Sequence, residues 1–420
     1  EAALREPLFA PPAAAPPLLA RSGSLAFDGD DPEEGNMMVC LKRCDAQTLC
    51  QLKAVSAGWQ QRARRALFGR RSDVEVDVEE LQHIGRLAAA RQMPNLARLR
   101  GYGFTVELQA VGHADLEGEV DDNDDDDDDN DQWDDDDDDN DEDDDAPLGG
   151  VTLRSCIQGE GEPPRELLLA AVACAARGTV RGVPVQQLRE DNAIGSLNLD
   201  NSGLGVISAK LLGLMLPAAT SVHTLSLAEN QLCGLDEDGE GTYTAEGITK
   251  LCEGLKGSAV TSLNLAHNGI GAEGATALAA ILNETNITYL NVDGHALQID
   301  ELKGTEPTER IDLSGKGLGV ASAIIIASCI KENGVLKELN LESNELCGLD
   351  FTYLHDMDVH GVYRGTYTAE GITKLCEGLT GSAVTSLNLE RNFIGAEGAS
   401  ALAAILKETK ITDLNLANNL

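Results

Sequence analysis

Two groups of residues have the types and spacing that could do chemistry. Cys40, Cys44 and Cys50 lie close together, and residues 355–360 read HDMDVH. Thiolates and imidazoles are zinc ligands, but no CxxC pair and no nearby His completes a zinc pattern around the cysteines. An alternation of His and Asp on a loop is weak evidence for a metal. The sequence therefore predicts no metal centre and no cofactor.

The sequence lacks the common catalytic motifs. The chain has no GxxxxGK phosphate loop, no GxSxG element and no Cys with a plausible paired His. The many glycines fall in repeat turns instead. We therefore predict that the chain is not an enzyme.

Charge excludes a further class of function. The formal net charge is -39, and about 20 of the acidic residues lie between Asp121 and Asp145. Such a run repels phosphates and cannot bury a core, so it predicts a disordered segment and no nucleic-acid binding. A solubilising insertion, weak calcium capture and mimicry of a nucleic acid all remain open for it. The loop pattern of an EF-hand is absent.

A repeated motif organises the rest of the chain. Apolar residues stand at its first, fourth, sixth and eleventh positions and Asn at its ninth, in residues 222–232, 260–270, 336–346 and 384–394. Alternating leucines turn one face of a short strand into a core, and a buried Asn bonds the backbone where the chain turns away. One such unit cannot bury its face alone, so the units must stack.

Weaker units fill and extend this array. The units that contain Ile194, Ile287 and Ile311 carry Ser202, His295 and Lys316 where the Asn belongs, and a last unit with Asn419 is cut off by the end of the sequence. The strand motifs recur mostly every 27 or 28 residues, roughly the length of one strand and one helix. Between strands the apolar residues follow helical spacing.

The segments Val260–Leu282 and Val384–Leu406 share the pattern LxxLxLxxNxIGxEGAxALAxxL. This resembles the ribonuclease-inhibitor type of leucine-rich repeat, which also occurs in NOD-like receptors and in Ran GTPase-activating proteins. The resemblance covers about 190 to 420. It implies an α/β fold, a right-handed solenoid or horseshoe with parallel strands on the concave side and helices on the convex side. It does not imply one function, because that fold hosts inhibitors, sensors and GTPase activators.

A protein-binding surface follows from this geometry. Variable motif positions should face the concave side, and insertions after Leu232 and Leu346 should rise from one rim. Core positions are kept between the two long copies while surface positions change, which fits either a binding surface or duplication followed by drift. The predicted partner-binding residues are His223, Glu229, His267, Tyr289, Arg310, Glu342, Glu390, Arg391, Phe351, Tyr353 and Tyr363.

A second resemblance lies near the start. Residues 37–68 resemble an F-box in their second half, through Leu49, Leu52, Val55, Ser56, Trp59 and Ala63. The usual opening Leu-Pro is absent, and an amphipathic helical cap with a core Trp is the alternative. The resemblance implies docking onto the adaptor of a cullin-type ubiquitin ligase, with Leu49, Leu52, Val55 and Trp59 as adaptor-binding residues.

These patterns divide the chain into five segments. We expect residues 73 to 100 to be helical, with Pro94 ending the helix, and residues 164 to 177 to form a second helix. Because the sequence lacks an initial Met and stops within a motif, we expect a fragment. The segments are a disordered tail (1–36), a helical F-box-like module (37–112), an acidic linker or insertion (113–148), a helical cap (149–190) and the leucine-rich repeats (191–420).

The sequence thus predicts a protein-interaction molecule with a protein partner on its concave face. The leading hypothesis is an F-box/leucine-rich repeat substrate receptor of a cullin-type ubiquitin ligase. A scaffold or sensor without ligase coupling and a Ran-type GTPase activator are the alternatives. Cysteines at equivalent repeat positions (Cys233 and Cys347, Cys252 and Cys376) suggest buried thiols in a reducing, cytoplasmic or nuclear setting. No apolar run is long enough to span a membrane.

Overall fold

The computed structural model describes residues 73–75, 96–113, 155–190, 193–236, 239–352 and 362–419. All of them belong to one compact unit from Arg71 to Leu420. The predicted tail and the acidic run 121–145 lie outside the described residues. So do the F-box-like stretch and its Leu49, Leu52, Val55 and Trp59.

A small sheet precedes the repeats. It consists of β1 (Asp73–Glu75), β2 (Arg98–Gly101), β3 (Phe104–Glu107) and β4 (Ile157–Gln158), of which only β1 and β2 are parallel. Tyr102 and Gly103 both have positive φ, as a two-residue turn of type I′ requires. The helix predicted for residues 73 to 100 is wrong at both ends of that range, because β1 occupies its first three residues and β2 its last three. Helix α1 (Leu108–Val111) follows β3.

Two helices cover the first repeat. Helix α2 (Arg165–Ala175) forms where a helix is predicted for residues 164 to 177, and α3 (Val185–Glu190) follows it. The Arg189 guanidinium ties the two together by donating to the carbonyls of Ala173 and Ala176. Both helices pack against the helix Val206–Met215 of the first repeat.

The repeat region alternates strands and helices. Most of its strands bury the central residue and leave the residues on either side exposed or half-exposed, the alternation of a half-buried strand. The strands are β5 (Ser196–Asn198), β6 (Thr224–Ser226), β7 (Ser262–Asn264), β8 (Tyr289–Asn291), β9 (Ala296–Gln298), β10 (Arg310–Asp312), β11 (Glu338–Asn340), β12 (Asp350–Thr352), β13 (Val362–Arg364), β14 (Ser386–Asn388) and β15 (Asp413–Asn415).

A layer of helices packs behind these strands. The helices are α4 (Val206–Met215), α5 (Glu246–Leu255), α6 (Gly271–Ile281), α7 (Ile299–Lys303), α8 (Val320–Ile330), α9 (Glu370–Gly381) and α10 (Gly395–Ile405). Helices α4 and α5 approach so closely that a Cβ on Gly254 would lie 2.2 Å from the Gly213 carbonyl oxygen. Gly378 meets Ala327 in the same way. Glycine is required at such backbone contacts because any side chain would collide.

The motif asparagines act as predicted. Asn344 is buried, and its Oδ1 accepts from the N–H groups of Lys316 and Leu318 in the preceding unit at 3.0 and 3.1 Å. Its Nδ2 donates to three carbonyls, one of them Leu313 O at 2.9 Å. Asn230, Asn268, Asn392 and Asn419 likewise link their own unit to the unit before. We call these five residues the asparagine ladder.

The sequence predicts a single continuous array of eight parallel strands. This prediction is wrong in one respect. Strands β5 to β8 are parallel, but β9 runs antiparallel to β8 and ends the first sheet. A second, fully parallel sheet has the order β10-β11-β14-β15. The physical cause lies in Asp293-Gly294-His295. Gly294 has φ +98° and its N–H donates to Asn291 Oδ1 at 2.8 Å, so the chain reverses where other units continue to their helix.

Both predicted insertions leave the array at equivalent places. In the second, β12 and β13 form a hairpin with Phe351 opposite Tyr363, whereas Tyr353 lies outside the described residues. In the first, Leu235 and Gly241 form a single antiparallel bridge. Each insertion is closed by the same bond, Thr244 N–H to Cys233 O and Thr368 N–H to Cys347 O, both at 2.9 Å.

Candidate partner-binding surface

The outward side chains of the parallel strands form one polar surface. We call it the polar strand face, defined by the two exposed or half-exposed positions on each of β5, β6, β7, β8, β10, β11, β14 and β15, together with the half-exposed Glu342 and Glu390, which lie two residues beyond β11 and β14. Asn occupies the second of these positions at 198, 264, 291, 340, 388 and 415. An amide repeated at one strand position places hydrogen-bonding groups in a row.

These amides connect neighbouring units. Asn388 Oδ1 accepts from the Glu390 N–H at 3.1 Å, and its Nδ2 donates to Glu342 Oε2 at 3.0 Å in the unit before. Asn340 reaches Asp312 Oδ1 at 2.9 Å, and Asn415 reaches Glu390 Oε2 at 3.0 Å. The carboxylates of Asp312, Glu342 and Glu390 are thereby held in fixed positions on the face.

Hydrogen bonds on this face keep two of the carboxylates, Asp312 and Glu390, ionised. The Ser314 hydroxyl and N–H, followed by Asn340, hold the pKa of Asp312 below its usual value. Asn415 and then Asn418 lower the pKa of Glu390. Hydrogen bonds to a carboxylate favour its charged form, so both groups carry negative charge at neutral pH.

The two long copies of the repeat differ in this row. Glu342 and Glu390 occupy the motif positions that Ala228 and Ala266 occupy in the first copy. There, Asn264 Nδ2 donates to the hydroxyl of Ser226 at 3.0 Å instead of to a carboxylate, and Ser226 donates to Asp200 at 2.6 Å. The polar strand face is therefore mostly neutral over the first copy and carboxylate-rich over the second.

The structure brings several predicted partner-binding residues onto this face. Tyr289 is 49 % exposed on β8, and Arg310 on β10 pairs with Glu338 at 2.9 Å. Glu342 and Glu390 belong to the row just described. His223 is exposed immediately before β6, beside the face, with its Nδ1 2.6 Å from Ser221 O.

Three predicted residues lie in the turn after a strand instead. Glu229, His267 and Arg391 each have φ +56°, the left-handed region that L side chains seldom adopt. Each precedes a ladder asparagine by one position, and each is exposed. These side chains therefore border the polar strand face and lie outside its strands.

Sequence reasoning did not foresee the role of Asn415, Asp293 or Tyr243. Asn415 could have been found from the recurring Asn at its motif position. Asp293 bonds helix α8 of the next unit, and the Tyr243 hydroxyl donates to Ile270 O at 2.8 Å. Neighbouring residues in the sequence do not predict either contact. The partners of Asp293 are 26 and 29 residues away, and the partner of Tyr243 is 27 residues away.

Two of the repeat cysteines are buried thiols. Cys233 and Cys347 are buried, and desolvation raises the pKa of each thiol to about 12. A buried, protonated thiol is a poor nucleophile at neutral pH. Among the described residues, no three His, Cys, Asp or Glu side chains are grouped so that they could hold a metal ion. No helix within the described ranges is long and apolar enough to cross a bilayer.

Comparison with known proteins identifies the repeats. Residues 259–279 and 383–403 match a family model described as Leucine Rich repeat. The matched segments are strand β7 with helix α6 and strand β14 with helix α10, the equivalent units of the two copies. No curated protein matches the chain. The chain therefore contains leucine-rich repeats, which are modules for protein–protein interaction.

Proposed function

We propose that this leucine-rich repeat chain binds a protein partner on its polar strand face. In this proposal the repeats stack as a ribonuclease-inhibitor-like solenoid, and the face lines its concave side. The observation that carries the proposal is the row of side chains fixed by Asn340, Asn388 and Asn415 across unit boundaries. Groups already held in place lose little conformational freedom when a partner binds.

The chemistry of the face indicates what the partner offers. Carboxylate oxygens of Asp312, Glu342 and Glu390 accept hydrogen bonds and attract cations, so the partner presents Lys or Arg side chains to the second copy. Tyr289 and Arg310 are residue types that often dominate binding energy at interfaces. They lie near the middle of the array, on β8 and β10.

The test compares two double variants that each remove two carboxylates, one from the polar strand face and one from the helices. Glu342→Ala with Glu390→Ala places on the second copy the residues that the first copy already carries, Ala228 and Ala266. The control, Glu273→Ala with Glu397→Ala, removes two exposed carboxylates from helices α6 and α10 and gives the same change in net charge.

Proteins captured by the full chain and identified by mass spectrometry are compared among the wild type, the face variant and the helix variant. We expect one partner to be retained by the wild type and the helix variant and lost by the face variant. Identical capture by all three proteins would overturn the proposal.

The F-box-like stretch supports a more specific role, a substrate receptor of a cullin-type ubiquitin ligase. In that role Leu49, Leu52, Val55 and Trp59 dock the adaptor while the repeats hold the substrate. The full chain is tested for adaptor binding against Trp59→Ala and Leu52→Asp. Binding that both variants lose supports the receptor, and no binding by the wild type leaves a scaffold or sensor. A GTP-turnover assay with small GTPases tests the Ran-type activator.

A further inference from the structure

The two sheets of the repeat region meet at a seam between β9 and β10. We call residues 193–304 block 1 and residues 310–419 block 2. Within a block, neighbouring units share main-chain bonds, such as Leu227 N–H to Asn264 O and Glu229 N–H to Ala266 O, both at 2.9 Å. Across the seam, the described residues contain no hydrogen bond between main-chain atoms of the two blocks.

At the end of block 1, the main-chain groups of the last parallel strand, β8, and of Thr288 just before it are bonded by residues of block 1 itself. Ile299 N–H donates to Thr288 O at 2.8 Å. In the unit before, the equivalent carbonyl, Thr261 O, accepts from Thr288 and Tyr289 of the following unit. Strand β9 thus takes the place beside β8 that the next unit fills elsewhere, and β10 is left as an edge strand.

The asparagine ladder stops at the same place. His295 and Lys316 occupy the ladder positions on the two sides of the seam. A buried polar atom is also left unsatisfied there. Ser322 Oγ has no hydrogen-bond partner among the described residues, whereas Ser208, its counterpart in block 1, donates to Arg181 O at 2.8 Å.

The helix layer, in contrast, continues through the seam. Helix α8 packs directly on α6 and on α7. Near its start, Asp293 Oδ2 accepts from the N–H groups of Gly319 and Ser322, both at 2.9 Å. Beyond its end, Asn333 Nδ2 donates to Glu301 O at 3.1 Å and to Leu302 O at 3.0 Å. Hydrogen bonds therefore join both ends of α8 to block 1, whereas no main-chain hydrogen bond joins β10 to it.

We infer that the two blocks rotate relative to each other about the packed helices α6, α7 and α8, so that the polar strand face opens and closes at the seam. A packed helix layer tolerates small rotations that keep its side chains in contact. A sheet tolerates them only where no ladder of main-chain bonds crosses. At the seam the helices remain packed, but no main-chain hydrogen bonds join the strands of the two blocks in the described residues.

Distances between labels on the full chain test this motion. Spin labels are attached to p-azidophenylalanine, introduced in pairs, because the chain has native cysteines. The pair Thr224 and Asp413 spans the seam. The pairs Ser196 with Tyr289 and Arg310 with Asp413 each lie within one block, three strands apart. Pulsed electron paramagnetic resonance then gives each distance distribution.

We expect the distribution across the seam to be at least about twofold broader than either distribution within a block. Asp293→Ala should broaden it further. The matched variant Asp200→Ala removes a carboxylate that accepts from Ser226 and Ala228 inside block 1, and should leave the width unchanged.

A wild-type distribution across the seam as narrow as those within the blocks would overturn the inference, whether or not Asp293→Ala folds. Equal broadening by Asp293→Ala and Asp200→Ala would also overturn it, because the motion would then not be located at the seam.

Discussion

Asn388 donates to Glu342 across a unit boundary at 3.0 Å, and the same amide accepts from the Glu390 N–H at 3.1 Å. The two partners do not contribute equally to stability. Losing Asn388 removes both bonds, whereas losing Glu342 leaves Asn388 free to bond water on an exposed face. The first copy has Ala228 at the position of Glu342, which shows that the fold accepts a small residue there.

We therefore expect Asn388→Ala to lower the free energy of unfolding by about 1 kcal/mol, and Glu342→Ala by less than half of that. Urea denaturation followed by circular dichroism gives both values. If Glu342→Ala were the more destabilising change, the carboxylate would be part of the scaffold, and its loss could not be used as a clean test of partner binding.

Removal of a ladder asparagine should cost more than removal of a surface asparagine. Asn344 makes five bonds to main-chain groups, three of them buried and two part-buried, and is 2 % exposed. Asn344→Ala leaves these main-chain groups unsatisfied, so we expect a loss of roughly 3 kcal/mol in the free energy of unfolding. Asn198→Ala, on the exposed edge strand β5, is the control, and a loss of equal size there would contradict the assignment.

Replacing a residue that has a positive φ by glycine should raise the free energy of unfolding instead of lowering it. Glu229 has φ +56°, and the equivalent position in block 2's first unit is Gly315, with φ +61°. Because glycine adopts this conformation without a Cβ clash, Glu229→Gly should raise the free energy of unfolding by about 1 kcal/mol. Thermal denaturation measures the change. Thr224→Gly, in strand β6, should destabilise, and stabilisation by both substitutions would show that strain is not the cause.

Much of the fold was predictable because it depends on local, repeated signals. The period of about 27 or 28 residues fixed the alternation of strand and helix, and the asparagine ladder has the bonds expected of it. The seam was not predictable in this way. It depends on Gly294, one of many glycines in the sequence, and on Asp293, which has its partners 26 and 29 residues further on.

The polar strand face was only partly predictable for a related reason. Outward positions such as Tyr289, Arg310 and Glu390 followed from the motif period. The cross-unit bonds of Asn340 and Asn388 did not, because their partners are 28 and 46 residues away and are set by the register of parallel strands. A ladder position occupied by His or Lys is visible in sequence, and it marks both sides of the seam.

His295 makes the stability of the seam depend on pH. Burial, followed by the nearby Lys316, lowers the pKa of His295 below its usual 6.5. The unfolded chain then binds more protons than the folded chain between the lowered pKa and 6.5. The free energy of unfolding is therefore unaffected by His295 above that range and falls as the pH decreases through it.

We expect His295→Gln to weaken this fall. The measurement is the melting temperature of wild type and variant across a series of pH values from about 7.5 to about 5. Lys316→Gln should act in the same direction but less strongly, because burial is the larger cause of the shift. Parallel pH profiles for the wild type and His295→Gln would show that this histidine is not the titrating group, and that the ladder position it occupies is indifferent to charge.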